Sequence, residues 1–156
     1  MPSSSPIAEE IAPGLGLELI IVSVETEQEI QDAAAAILGS EVDAMLILPQ
    51  APVWQAMKEV LYPVSVAQGI PIFGVDRDDL ERGAIASYAG SRYANGFQAA
   101  RLVEKILRGA NPADIPVETP EQLELVINRS VVEAIGITIP DEILGLADEM
   151  IEIEVK

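Results

Sequence analysis

A chain of 156 residues allows one domain of common size, and an apolar content of 49% is enough for a core, mostly Ile, Leu, Val and Ala because only 4% of the residues are aromatic. A formal net charge of -17, with three lysines, repels phosphate backbones and argues against nucleic acid as a partner; its plainer consequence is solubility. With neither cysteine nor histidine, thiolate nucleophiles, disulfides, thiolate or imidazole metal sites and histidine-dependent triads are all excluded.

Met1 to Pro6 has neither a basic nor an apolar stretch, so no signal peptide is expected and the chain reads as a mature fragment or a product that stays inside. No apolar run approaches the roughly 20 residues of a spanning helix. Pro6 to Ala12 predicts a short helix, ended by Pro13 and Gly14. Leu17 to Val24, rich in β-branched residues, predicts a buried strand. Thr26 and Glu29 have capping-box spacing and open a helix with Ile30, Ala33, Ala34 and Ile37 on one face and Gly39 at its end. Ala44 to Leu48 predicts a second strand, continuous and apolar as parallel strands tend to be. Pro52 to Ala67 follows as a helix that Pro63 should kink or shorten, with Val53, Met57, Val60 and Leu61 on one side.

Ile70 to Val75 is the third predicted strand, Asp78 to Arg82 a short turn of helix, and Ala84 to Tyr88 a fourth extended piece. Ser91 to Arg108 predicts the longest helix. A proline-spaced loop follows, in which Thr119 and Pro120 look like an N-cap and first helical residue. Leu123 to Ile127 predicts a strand, Asn128 caps a helix through Ala134, and Pro140 to Ala147 begins another. The acidic tail, 148–156, reads as a frayed end.

This alternation predicts an α/β fold: a three-layer α-β-α arrangement with a mostly parallel sheet and right-handed crossovers. Ligands of such sheets sit beyond the carboxyl ends of the strands, here Leu48 to Ala51 and Val75 to Arg77, with Ser23 to Glu25 as a third. Asp76 can accept a hydrogen bond from an ammonium group there, or simply be a solvated acid or helix cap beside Asp78 and Asp79. Gln50 can offer an amide, or flank a helix at the surface. Trp54 can stack on a planar ligand, or pack in a core or interface. Arg92 can pair bidentately with a ligand carboxylate, or form a surface ion pair. Asp76, Asp78 and Asp79 lack EF-hand spacing and are not assigned a metal. Gly14-Leu15-Gly16 precedes a predicted strand and has no third glycine, so it is not a dinucleotide fingerprint.

Several ordered stretches resemble a known family: Pro71-Ile72-Phe73-Gly74-Val75-Asp76, Arg82 to Tyr88, Ala99 to Gly109, Asn111 to Glu118, Leu125 to Asn128 and Gly136 to Pro140. Together they resemble the C-terminal half of substrate-binding proteins of ABC importers, which are type 1 periplasmic binding proteins, in the branch that includes aromatic-amino-acid binders. The resemblance implies a single flavodoxin-like lobe over 1–156, half of a two-lobed clamshell that closes on its ligand. Residues 1–5 would be disordered or the remnant of a strand, and 82–108 a hinge-crossing strand and helix. Tyr88 and Tyr93 would flank the hinge and close over a ligand, or pack within it. Where relatives show Gly-x-Asp-Tyr-Tyr, this chain has Gly90-Ser91-Arg92-Tyr93, after Ala89.

The function so implied is non-catalytic binding of a small polar organic solute, an amino acid among the candidates, with Gln50, Trp54, Asp76, Tyr88 and Tyr93 as site residues. No cofactor or metal is implied. Importer membrane subunits would be the partners, the setting periplasmic or otherwise extracytoplasmic. An alternative is an interaction or dimerisation module, or a sensor domain, derived from such a protein and without a ligand of its own, since residues 82–108 would expose an apolar helix face in a lone lobe. A flavodoxin-like enzyme or a receiver domain is disfavoured; a receiver needs clustered acids at the first strand and a lysine late in the sheet, whereas Leu17 to Val24 carries no acid cluster and no lysine lies between Lys58 and Lys105.

Overall fold

The structure, a computed structural model, describes residues 5–38, 41–48 and 54–153. Helix α1 (Ser5–Ile11) runs into a 3-10 turn over Ala12–Leu15, which Gly16 ends at a φ of 70°, a left-handed conformation that glycine adopts without penalty. The helix expected over Pro6 to Ala12 is present, but its terminator is Gly16 rather than Gly14.

Helix α2 (Glu27–Leu38) starts from the predicted capping box. The Glu29 carboxylate accepts from the backbone N–H groups of Glu25 and Thr26 at 2.7 and 3.1 Å, and the Thr26 hydroxyl accepts from the N–H of Glu29 at 3.3 Å. These bonds satisfy donors that the first turn cannot pair internally. Ile30, Ala33 and Ala34 are buried, on the apolar face read from the sequence. The Gly39 stop lies outside the described residues.

Strands β1 (Met45–Leu46), β2 (Ile72–Gly74), β3 (Ala86–Gly90), β4 (Leu123–Asn128) and β5 (Glu149–Ile151) form one sheet in that order. Three of its four pairings are parallel, and β3 with β4 is antiparallel. Helix α3 (Trp54–Gln68) links β1 to β2 and packs on α2; it runs through Pro63 without ending there. A one-turn helix, α4 (Arg77–Leu80), follows β2, and α5 (Arg92–Leu107) follows β3. Short helices α6 (Arg129–Ile135) and α7 (Asp141–Leu144) lie between β4 and β5. The main core joins Ile30 of α2, Leu61 and Tyr62 of α3, Ile72 of β2, Leu80 of α4 and Val126 of β4; a second cluster joins Ile85, Ala86, Ile127 and Val131. This is the α/β fold with flanking helices that the element order implies. No helix among the described residues is long and apolar enough to cross a membrane.

Three further expectations are corrected. Leu17 to Val24 is not a strand: Leu17, Leu19, Ile20, Ile21 and Val22 are exposed and only Val24 joins the core. Its side chains favour the extended state, but β1 is the end strand of the sheet and the run joins no ladder. The tail is not frayed over Glu149–Ile151, which pairs in parallel with Val126 to Asn128. No helix starts at Thr119 and Pro120; the Thr119 carbonyl instead accepts from the buried Gln98 side chain of α5 at 2.9 Å.

Candidate functional site

The sheet turns the carboxyl ends of β1 and β2 the same way, because the two strands are parallel. Beyond the end of β2 the chain enters α4 through a second capping box. The Asp76 side chain caps α4, accepting from the N–H of Asp78 at 3.2 Å, and the Asp79 carboxylate reaches back to the N–H groups of Val75 and Asp76 at 2.9 and 3.1 Å. This close return demands glycine at position 74, where an added Cβ would lie 2.5 Å from the Cβ of Asp79.

Beneath this turn Asp79 is fully buried and its other carboxylate oxygen pairs with the ammonium of Lys58, itself 5% exposed. Tyr62 is buried next to them, and burial pushes its phenol pKa up, with the negative charge of Asp79 adding to the effect. The strand tip that carries Asp76 is thus fixed from below by a buried ion pair joining it to α3.

On the outer side, Arg92 at the start of α5 closes over Asp76. Its Nη2 donates to both Asp76 carboxylate oxygens, at 2.7 and 2.6 Å, and to Asp78 at 2.9 Å. Ser91 caps α5 through the N–H of Ala94 and so sets where Arg92 begins. Partial burial works against ionisation of Asp76, but its bonds from Arg92 and the N–H of Asp78 and the charges of Arg92 and Lys58 outweigh it, holding the carboxyl below its ordinary range. Arg92 is correspondingly raised, chiefly by the bond to Asp76.

Of the residues expected at the site, Asp76 is at the strand tip and acts both as helix cap and as ion-pair partner. Tyr88 is 65% exposed on β3, one residue past the Ser87 that pairs with Gly74, and so at the level of Val75 on the neighbouring strand. Tyr93 adjoins Arg92 in α5 and is 85% exposed. Gln50 lies outside the described residues, and so does the side chain of Trp54, the first residue of α3. Of the two pairings open to Arg92, the structure shows the surface ion pair, with Asp76 and Asp78. The three aspartates are occupied by backbone donors, Lys58 and Arg92, and among the described residues no cluster of acids is placed to hold a metal.

The Lys58–Asp79 pair was not anticipated. The available signal was a lysine three residues before Leu61, on the apolar side of α3. A separate shallow cleft of about 210 Å³, lined by Ile127, Val132, Ile137, Ile139 and Leu144, lies at the other end of the sheet, where β4 passes into α6.

A family model described as "ABC transporter substrate binding protein" matches residues 4–151. A tyrosine-binding protein of Clostridioides difficile (strain R20291) is 25% identical over 118 residues, which is 76% of this chain and 34% of that protein. A conserved domain protein from Vibrio cholerae o1 biovar eltor superposes with a TM-score of 0.81 at 29% identity, over 94% of this chain and 49% of the other. The ABC domain in complex with L-Trp from Streptococcus pneumonia gives 0.79 at 25% identity, over 95% and 52%. The chain spans about half the length of these structures and a third of the curated relative. Matched over nearly its whole length, the chain belongs to the family of ABC transporter substrate-binding proteins.

Proposed function

We propose that this chain is one lobe of a substrate-binding protein serving an ABC importer outside the cytoplasm, and that it holds a small polar organic solute beyond the carboxyl ends of β1 and β2. The observation that supports this most directly is Asp76, a carboxylate fixed at the tip of a parallel strand and still 36% exposed. Gln50, Trp54, Tyr88 and Tyr93 are the further residues proposed to line the ligand. Residues 82–108 are proposed to cross the hinge toward a second lobe. An amino acid is the first candidate ligand, since relatives of this chain bind tyrosine and L-Trp.

The test is titration of the isotope-labelled chain with a panel of amino acids, followed by its amide resonances. Saturable shifts over Val75 to Leu80 and Ser91 to Ala94 are expected with at least one compound, and their loss in Asp76→Asn. A panel that moves no resonance, or moves only those of the cleft by α6, overturns the reading.

A second reading, self-association, is favoured by α5, where Tyr93, Phe97, Val103 and Leu107 are all exposed. Several large apolar side chains exposed on one helix are what an interaction face would use. Light scattering across a concentration series tests it: a dimer that Phe97→Glu dissociates supports it, and a monomer at all concentrations refutes it.

A further inference from the structure

The Arg92–Asp76 contact constrains what the proposed site can bind, and the inference rests on the solute-binding reading above. Arg92 uses one nitrogen, Nη2, for all its hydrogen bonds to Asp76 and Asp78. A guanidinium presents five donors in a planar fork that matches a carboxylate. The arginine is 63% exposed and Asp76 36%, so a solute can reach both. Exposed pairs of this kind are held weakly and open at small free-energy cost.

Charge balance decides which solute can open the pair without loss. A simple amine that takes Asp76 displaces Arg92 and competes with it directly. A simple carboxylate that takes Arg92 leaves Asp76 without its cation. A solute carrying both a protonated amine and a carboxylate leaves neither stranded: its ammonium replaces Arg92 on Asp76 and its carboxylate takes the fork. Arg92 meanwhile keeps its bond to Asp78. The two partners are pre-positioned for this exchange, Asp76 by the Asp79–Lys58 pair beneath it and Arg92 by the Ser91 cap of α5. Little ordering is then left for the ligand to bring about.

We propose that Arg92 is the specificity-determining residue of this site, receiving the carboxylate of a zwitterionic solute whose ammonium is held by Asp76. The Arg92–Asp76 contact shows the two binding groups satisfying each other, each offering the charge that the solute would supply in its place.

Three probes that share one ring separate the charges: L-tryptophan, tryptamine without the carboxylate, and 3-indolepropionate without the amine. Their affinities are measured by amide-shift titration on the chain and on Arg92→Gln and Arg92→Lys, with spectral overlay showing that each variant remains folded. The expected result is that L-tryptophan binds the parent at least about tenfold more tightly than either analogue, the scale of one charge-assisted hydrogen-bond pair. Arg92→Gln should abolish the preference over tryptamine, and Arg92→Lys should retain part of it. Unchanged discrimination in Arg92→Gln overturns the role of Arg92 while the binding reading stands. Tighter L-tryptophan binding in Arg92→Gln does the same, and makes the arginine a plug. No saturable shift with any probe, on parent or variants, overturns the inference; extended to the whole amino-acid panel, that silence removes the solute-binding reading as well.

Discussion

Replacing Lys58 with methionine tests how the strand tip is held. Lys58 and Asp79 are 5% and 0% exposed, and the second oxygen of Asp79 holds the N–H groups of Val75 and Asp76. Methionine roughly keeps the length and volume of the lysine stem and removes the ammonium, both its charge and its N–H donors. The stranded carboxylate then sits in a medium that cannot solvate it, which costs roughly 3–5 kcal/mol when one partner of a buried pair is deleted. For a domain of this size that lowers the melting temperature by roughly 6–20 °C. Urea denaturation followed by circular dichroism gives the free energy, and Asp79→Asn alone and with Lys58→Met completes a double-mutant cycle. The double variant should be more stable than the sum of the singles by at least about 1 kcal/mol, because it leaves no unpaired buried charge. Additive singles, or a Lys58→Met variant that loses under about 1 kcal/mol, would refute the argument that this pair secures the site.

The fully buried Asn128 donates to the carbonyls of Leu80 and Ile153, both at 3.0 Å, and accepts from the N–H groups of Ser130 and Ile153 at 3.1 and 3.3 Å. Asn128→Ala should therefore cost about 3 kcal/mol, from more than one stranded backbone group at roughly 1–3 kcal/mol each, and speed amide exchange at Ile153; wild-type exchange there would contradict this. The pH dependence of Asp76 follows from its lowered pKa. Its ion pair with Arg92 is formed above the ordinary carboxylate value of about 4 and is lost as the pH falls through the lower folded-state value. A carbon-detected titration should find Asp76 below that ordinary value in the parent and moved upward in Arg92→Gln; equal midpoints would show that the pair does not persist in solution.

Much of this molecule was legible in short stretches of sequence. The Thr26–Glu29 box, the Asn128 cap and the helix over Ser91 to Arg108 depend on groups within about four residues of one another, so the local pattern contains the whole interaction. The position of Asp76 at a strand tip followed from the alternation of apolar runs with helices. Its partner did not. Arg92 offered two outcomes, a ligand carboxylate or a surface acid, and only the approach of α5 to α4 selects Asp76 and Asp78.

Sheet membership marks the boundary most clearly. Leu17 to Val24 has the residues of a strand and is not one, whereas Glu149–Ile151, acidic and short, is one. Local residue preference sets where the backbone tends to extend and where helices start, and the composition leaves no thiol or imidazole chemistry. Long-range packing selects which extended segment finds a neighbour and brings a lysine on α3 to an aspartate beyond β2. A ladder and an ion pair each need a partner that is remote in the chain, and a residue's own preference is realised only when folding brings that partner to it.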